Sequence, residues 1–218
     1  MLDEVISMEV AFARPDSVLR YAKIGARHYP TNMQFHHATL YALTQKREYQ
    51  QCVEYCTRQL ENRTFNKEQQ SELWQCVGDA YFNIGRDKEC FAAYRKAITL
   101  NPKNATALNN YAYHLAWVGA SLPRALELAR QAVALEPKNA TFLDTLAWVH
   151  FKMGNLEEAK RVQQSALSFD GNKNGEIALH YGDILNAMGN TFLAHTYWRK
   201  ALELGGVPAE EVEQRLKK

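Results

Sequence analysis

From Gly85 onward, glycines recur at Gly85, Gly119, Gly154 and Gly189, spaced by 34, 35 and 35 residues. A period of this length constrains the fold more than any other feature, because each period must be one small unit that buries its apolar face only by stacking on its neighbours. Three further series keep the same step: Gly78, Ala112, Ala147 and Gly182; Cys90, Ala125, Ala159 and Ala194; and Ala97, Ala132, Ala166 and Ala201. Unit boundaries show as Asn101-Pro102-Lys103-Asn104 and Glu136-Pro137-Lys138-Asn139, and in degraded form as Asp170-Gly171-Asn172-Lys173.

Each unit reads as two helices and a tight turn. The repeated glycine suits the left-handed conformation that ends many helices, and the closing proline stops the second helix. Small residues at Gly78 and Cys90 leave room for two helix backbones to approach. Between Gly119 and Ala125 one extra residue is absorbed by Ala120-Ser121-Leu122-Pro123, where Pro123 fits a first helical turn.

The unit Trp74-x-x-Val77-Gly78-x-x-Tyr81, followed by Cys90, Tyr94, Ala97 and Pro102, resembles the tetratricopeptide repeat, with Val for Leu and Cys for Ala as conservative departures. The next units keep the small-residue framework without the leading Trp. The resemblance implies an all-α fold, a right-handed α-α superhelix of about six helix-turn-helix repeats plus a C-terminal capping helix. The whole chain, 1–218, then reads as a single solenoid. Its parts are a degenerate repeat at 1–31, a divergent repeat with a polar connector at 32–70, repeats at 71–104, 105–139, 140–174 and 175–206, and a capping helix at 207–218. Asn109-Asn110-Tyr111-Ala112 and Leu143-Asp144-Thr145-Leu146-Ala147-Trp148 also resemble repeat proteins of Bacteroidetes, several of which are cell-envelope proteins.

In the family the first helix of each repeat lines a concave groove that binds a peptide or partner protein. Carried over position by position, the third repeat presents Glu72, Gln75, Asp79, Phe82 and Asn83, and the fourth Thr106, Asn109, Tyr113, Ala116 and Trp117. The fifth presents Thr141, Asp144, Trp148, Phe151 and Lys152, and the sixth Glu176, Leu179, Asp183, Asn186 and Ala187. Tyr113, Trp117, Trp148 and Phe151 are expected to form an aromatic patch of the kind that dominates interface energetics. Glu72, Asp79, Asp144, Glu176 and Asp183 surround it, with Lys152 as the one base, so the groove is expected to favour apolar anchors flanked by Lys or Arg. Aromatics on such helices also pack between repeats, and Asn109 serves a ligand backbone or local polar groups. Repeat proteins that grip the C-terminal carboxylate of heat-shock chaperones use Lys, Arg and Asn; here the corresponding places hold Gln75, Asp79, Asn110, Thr141 and Thr145, of which only Asn110 fits.

The remaining chemistry argues for binding rather than catalysis, with no cofactor and no metal. A 46% apolar, 23% charged chain of net charge +2 is ordinary for a folded protein, and it has no basic tail or stripe for nucleic acid. No apolar run reaches the ~20 residues of a membrane span. Cys52, Cys56, Cys76 and Cys90 follow no zinc spacing and read as small core residues. His36 and His37 are adjacent, about 100° apart on a helix, a poor metal pair. His180 and Asp183 share a helix face but have no accompanying nucleophile, and read as an exposed polar pair. Asn62, Asn104 and Asn139 each start an Asn-x-Thr triplet, two of them at unit boundaries where an Asn caps a helix. The N-terminus has neither the basic nor the apolar region of a signal peptide. Localisation stays open: cytoplasmic if Met1 is the true start, cell envelope or periplasm if the chain is part of something longer. An exposed apolar face on the first helix around Val5, Met8, Val10 and Phe12 would favour a spacer, a homo-oligomer through terminal repeats, or the interaction part of a larger assembly.

Overall fold

The computed structural model describes residues 2–61 and 64–217. Among them are thirteen α-helices: α1 Leu2–Ala11, α2 Pro15–His28, α3 Met33–Gln45, α4 Tyr49–Leu60, α5 Lys67–Asn83, α6 Asp87–Leu100, α7 Ala105–Trp117, α8 Leu122–Leu135, α9 Ala140–Lys152, α10 Leu156–Ser168, α11 Gly175–Ala187, α12 Thr191–Leu204 and α13 Ala209–Leu216. No strand occurs among the described residues. The chain divides into two compact units, one ending at Ala107 and one beginning at Leu108, so the division falls in the first turn of α7.

The six odd-numbered helices α1 to α11 end in one recurring turn. The backbone amides of Arg14, Glu48, Arg86, Ala120, Asn155 and Asn190 reach back to the carbonyls of Glu9, Leu43, Tyr81, Leu115, His150 and Leu185 at 2.8–3.0 Å. This six-to-one bond satisfies a carbonyl that the helix end would leave without a partner, and it requires a left-handed residue just before the donor. Gly85, Gly119, Gly154 and Gly189 supply that conformation in the later repeats, with φ between 70° and 81°. In the first two repeats Ala13 (φ 51°) and Arg47 (φ 57°) take it instead. The same turn therefore recurs in the stretches read as the degenerate repeat at 1–31 and the divergent repeat at 32–70, where the glycine series is absent.

Asparagine starts many of the helices. Asn32, Asn139, Asn174 and Asn190 accept backbone amides at the N-termini of α3, α9, α11 and α12, and Asn104 accepts the Ala107 amide at 2.9 Å. The triplets at Asn104 and Asn139 thus have their side chains engaged in capping; Asn62 lies outside the described residues. Helix α5 starts at Lys67, inside the stretch read as connector, because Asn66 and Gln69 form a reciprocal capping box.

Packing within a helix pair depends on matched volumes. A Cβ built on Gly78 would lie 2.9 Å from the Tyr94 ring, and one on Gly182 would lie 2.4 Å from the Trp198 ring. Both aromatics are fully buried. Where the small place holds Ala147, the corresponding place on the second helix holds Gln163 instead of an aromatic. In the unit beginning at Leu108, α13 packs on α12, with Val212 wholly buried.

Two outcomes are expected from denaturant melts. Gly182→Leu loses about 3 kcal/mol, since the indole cannot retreat; Trp198→Gln costs less in a Gly182→Ala background than in the native chain. An unchanged melt for Gly182→Leu would exclude the close approach. Arg47→Gly gains about 0.5–1 kcal/mol by relieving a left-handed non-glycine residue, and a loss would show that the Arg47 side chain matters more than its backbone.

Candidate functional site

The side of the first helices gathers most of the residues expected there, and each unit holds its own set. In the unit ending at Ala107, Glu72 on α5 pairs with His37 Nε2 on α3 at 3.0 Å. Asp79 accepts the Tyr94 hydroxyl. It also lines a pocket of about 240 Å³ with Leu40, Tyr41, Thr44, Tyr49, Cys76 and Asn83. Gln75 and Phe82 are half-buried on the same helix. The lining mixes apolar side chains with Thr44 and Asn83, carries Asp79 as its carboxylate, and includes His37.

His36, adjacent to His37, turns inward. Its ring nitrogens meet the Tyr55 hydroxyl at 2.7 Å and the Pro30 carbonyl at 2.9 Å. Burial lowers its pKa against the raising effect of the Pro30 bond. A neutral ring donating to Pro30 accepts from Tyr55, which makes His36 a structural link between α3 and α4. Cys52, Cys56 and Cys90 are buried free thiols, and burial raises the pKa of each, Cys90 to about 12, so they are poor nucleophiles. Among the described residues no group of three or more His, Cys, Asp or Glu side chains is arranged to hold a metal ion.

In the unit beginning at Leu108 the arrangement is denser. Asp144 on α9 accepts Gln163 Nε2 from α10 and lies 2.9 Å from His180 Nδ1 on α11. Gln163 also donates to the Ile177 carbonyl at 3.0 Å. All three polar side chains are buried. Trp148 stacks on His180 with ring centroids 4.2 Å apart, and Phe151 stacks on Trp148 at 5.0 Å. Tyr113 on α7 donates to Glu176 Oε1 on α11 at 2.9 Å, and Trp117 stacks on Tyr113. Lys152 Nζ sits 5.5 Å from the Trp148 ring centre.

The structure therefore brings Tyr113, Trp117, Asp144, Trp148, Phe151 and Lys152 into one cluster, but sorts them by depth. Asn109 and Asp144 are buried, and Trp148 is only 7% exposed. Trp117 is 47% exposed, and Glu176 and Lys152 are exposed as well. Asp183 is engaged elsewhere: it accepts Trp198 Nε1 at 2.9 Å and a two-pronged contact from Arg215 on α13 at 2.7 and 2.9 Å. His180 does not form an exposed pair with Asp183 as its spacing suggested. It is buried against Asp144, whose position 36 residues earlier puts it on the neighbouring first helix.

Burial opposes a charge on His180, but the Asp144 carboxylate and its hydrogen bond, with Glu176 and Asp183 beyond, outweigh it, and the imidazole pKa is raised. Burial and the adjacent Glu176 charge raise Tyr113. A raised folded-state value means that protonated His180 stabilises the fold fully below its ordinary pKa of 6.5, and that this contribution is lost as pH climbs through the folded value. Comparing His180→Gln with the native chain in urea at pH 6 and pH 9 checks this. The native advantage is expected to shrink at the higher pH, and an advantage that grows would mean the ring is buried neutral.

A family profile described as "Tetratricopeptide repeat" matches residues 2–204. No curated protein matches the chain by sequence. A chain in the crystal structure of the APC/C hetero-tetramer Cut9–Hcn1 superposes with TM-score 0.76 at 17% identity, over 97% of this chain and 41% of that one. PilF of Pseudomonas aeruginosa superposes with TM-score 0.64 at 19% identity, over 82% and 84%. A MamA fragment from Desulfovibrio magneticus RS-1 gives 0.53 at 18%, over 93% and 92%. At these identities the likeness is one of fold, that of an all-α helical repeat.

Proposed function

The chain belongs to the tetratricopeptide-repeat family, and from that premise we propose that it is a non-enzymatic binding module or scaffold that takes a peptide or partner segment on the side of its first helices. The observation that carries this reading is the exposed edge of the aromatic cluster. Trp117 projects beside Tyr113, whose hydroxyl holds the exposed carboxylate Glu176. A large flat anchor next to a carboxylate suits an apolar side chain flanked by Lys or Arg. In the other unit Glu72 and the pocket lined by Asp79, Leu40 and Tyr41 repeat the combination of acid and apolar surface. Binding rather than catalysis fits the Asp144–His180 pair, which is buried against Trp148. The profile match through both units supports reading 1–218 as one run of repeats. The resemblance to Bacteroidetes repeat proteins supports a bacterial source.

A second reading has its own observation. Met8 on α1 and Phe12 in the turn just after it are 58% and 61% exposed, while Val5 and Val10 are half-buried, Val10 against the core; the exposed pair suits self-association or a larger assembly. Among the described residues no helix is long and apolar enough to cross a membrane.

Panning a displayed peptide library against the native chain tests the first reading. Enriched peptides should combine an aromatic or aliphatic residue with Lys or Arg, and the exposed pair of substitutions Trp117→Ala/Glu176→Lys should weaken them about tenfold or more. Peptides that bind the substituted chain equally well would move the interface off this face.

A further inference from the structure

We propose that the unit ending at Ala107 carries a second binding site, on its second helices, that takes an acidic segment of another protein. Helices α2 and α4 frame a cleft of about 300 Å³ lined by Lys23, Ala26, Arg27, Tyr55, Arg58 and Gln59. Arg20 lies three residues before Lys23 and seven before Arg27, so helical spacing sets the three cations on one face of α2. Lys23, Arg27 and Arg58 are exposed. Among the described residues no ion pair joins any of these four cations to a carboxylate. The acids near them in sequence are occupied or stand apart: Asp16 and Glu48 both pair with Lys46, Glu54 accepts Gln50, and Glu61 forms no ion pair with Arg58.

The geometry selects among anions. Lys23 and Arg27 sit in the last turns of α2, and Arg58 in the last turn of α4. Compact phosphates are typically cradled by the backbone amides of a helix N-terminus, and the last turns of α2 and α4 offer no such cradle, so the three side-chain cations are what an anion meets here. A nucleic acid needs a track of cations along its backbone, whereas this cleft offers a short cluster with no series of exposed rings for base stacking. Carboxylates spaced along a peptide match two guanidinium forks and one ammonium set around an apolar floor of Ala26 and Tyr55. The Gln59 amide can meet the peptide backbone between them. The cleft shares no residue with the edge formed by Trp117 and Glu176, so it stands whether or not the first-helix face binds a peptide.

The test is fluorescence anisotropy of a labelled octaglutamate peptide at low ionic strength. The native chain should bind it, and added salt should weaken the complex. Lys23→Glu/Arg27→Glu/Arg58→Glu should weaken it at least about tenfold, while Lys88→Glu/Lys103→Glu/Lys138→Glu, with the same change in net charge at other exposed lysines, should stay within about twofold. Circular dichroism melts confirm that each variant is folded. Trp117→Ala/Glu176→Lys should leave this binding unchanged. Equal weakening by the two triple variants, no binding by the native chain, or tighter cleft-dependent binding of inorganic phosphate or duplex DNA would each overturn the proposal.

Discussion

The close approach of two helices at one small residue is the constraint on which the other features rest. At Gly78 and Gly182 the missing Cβ is the space that Tyr94 and Trp198 fill. The ring in turn excludes water from the pair and contributes the large apolar area that makes a two-helix unit worth folding. At Ala147 the extra methyl is matched by the slimmer Gln163, and at Ala112 by Ala129. The period survives in sequence because the place on the first helix must stay small wherever the second helix crosses it, even while the facing residue changes.

That packing also decides where the acids go. A buried Tyr, Trp or Gln on the second helix brings a polar tip that must find an acceptor. Tyr94 finds Asp79, Trp198 finds Asp183 and Gln163 finds Asp144. Three carboxylates that read as groove acids are therefore acceptors for their own repeats. Glu72 and Glu176 stand further out, and their partners, His37 and Tyr113, are side chains of other first helices. The acidity available to a ligand comes from the edge of the face more than from its floor.

The helix-pair architecture was legible because its requirements are local: a small residue, a left-handed turn, a proline or asparagine at a boundary. The first two repeats blurred because Ala13 and Arg47 accept the left-handed conformation at a cost that a sequence does not display. The start of α5 was misplaced because a capping box of Asn66 and Gln69 looks like polar connector until its reciprocal bonds are seen. Depth within the aromatic cluster was illegible for a different reason. Tyr113 and Trp148 occupy the same place on their helices, but Trp148 stacks on His180 from the next first helix and is buried, while Tyr113 is half-buried with its hydroxyl on Glu176 and Trp117, at the end of α7, stays exposed. The cleft of Lys23, Arg27 and Arg58 was hidden because its members come from two helices in a stretch where acids and bases balance overall.

The Asp144–His180 pair shows what the fold trades for a defined face. Two opposite charges buried together recover only part of their hydration, so such a pair adds little net stability over apolar residues of the same shape. Its geometry is nevertheless exacting. Asp144 must meet Gln163 and His180 at once, and His180 must lie flat under Trp148. A slip of α11 against α9 would leave a charge buried without its partner, which costs far more than a lost apolar contact. The pair thus fixes the register of adjacent first helices, and that register places Glu176 against Tyr113 beside the exposed ring of Trp117. The proposed binding edge, built from residues 63 positions apart, Tyr113 and Glu176, is thus held in place by a buried polar contact.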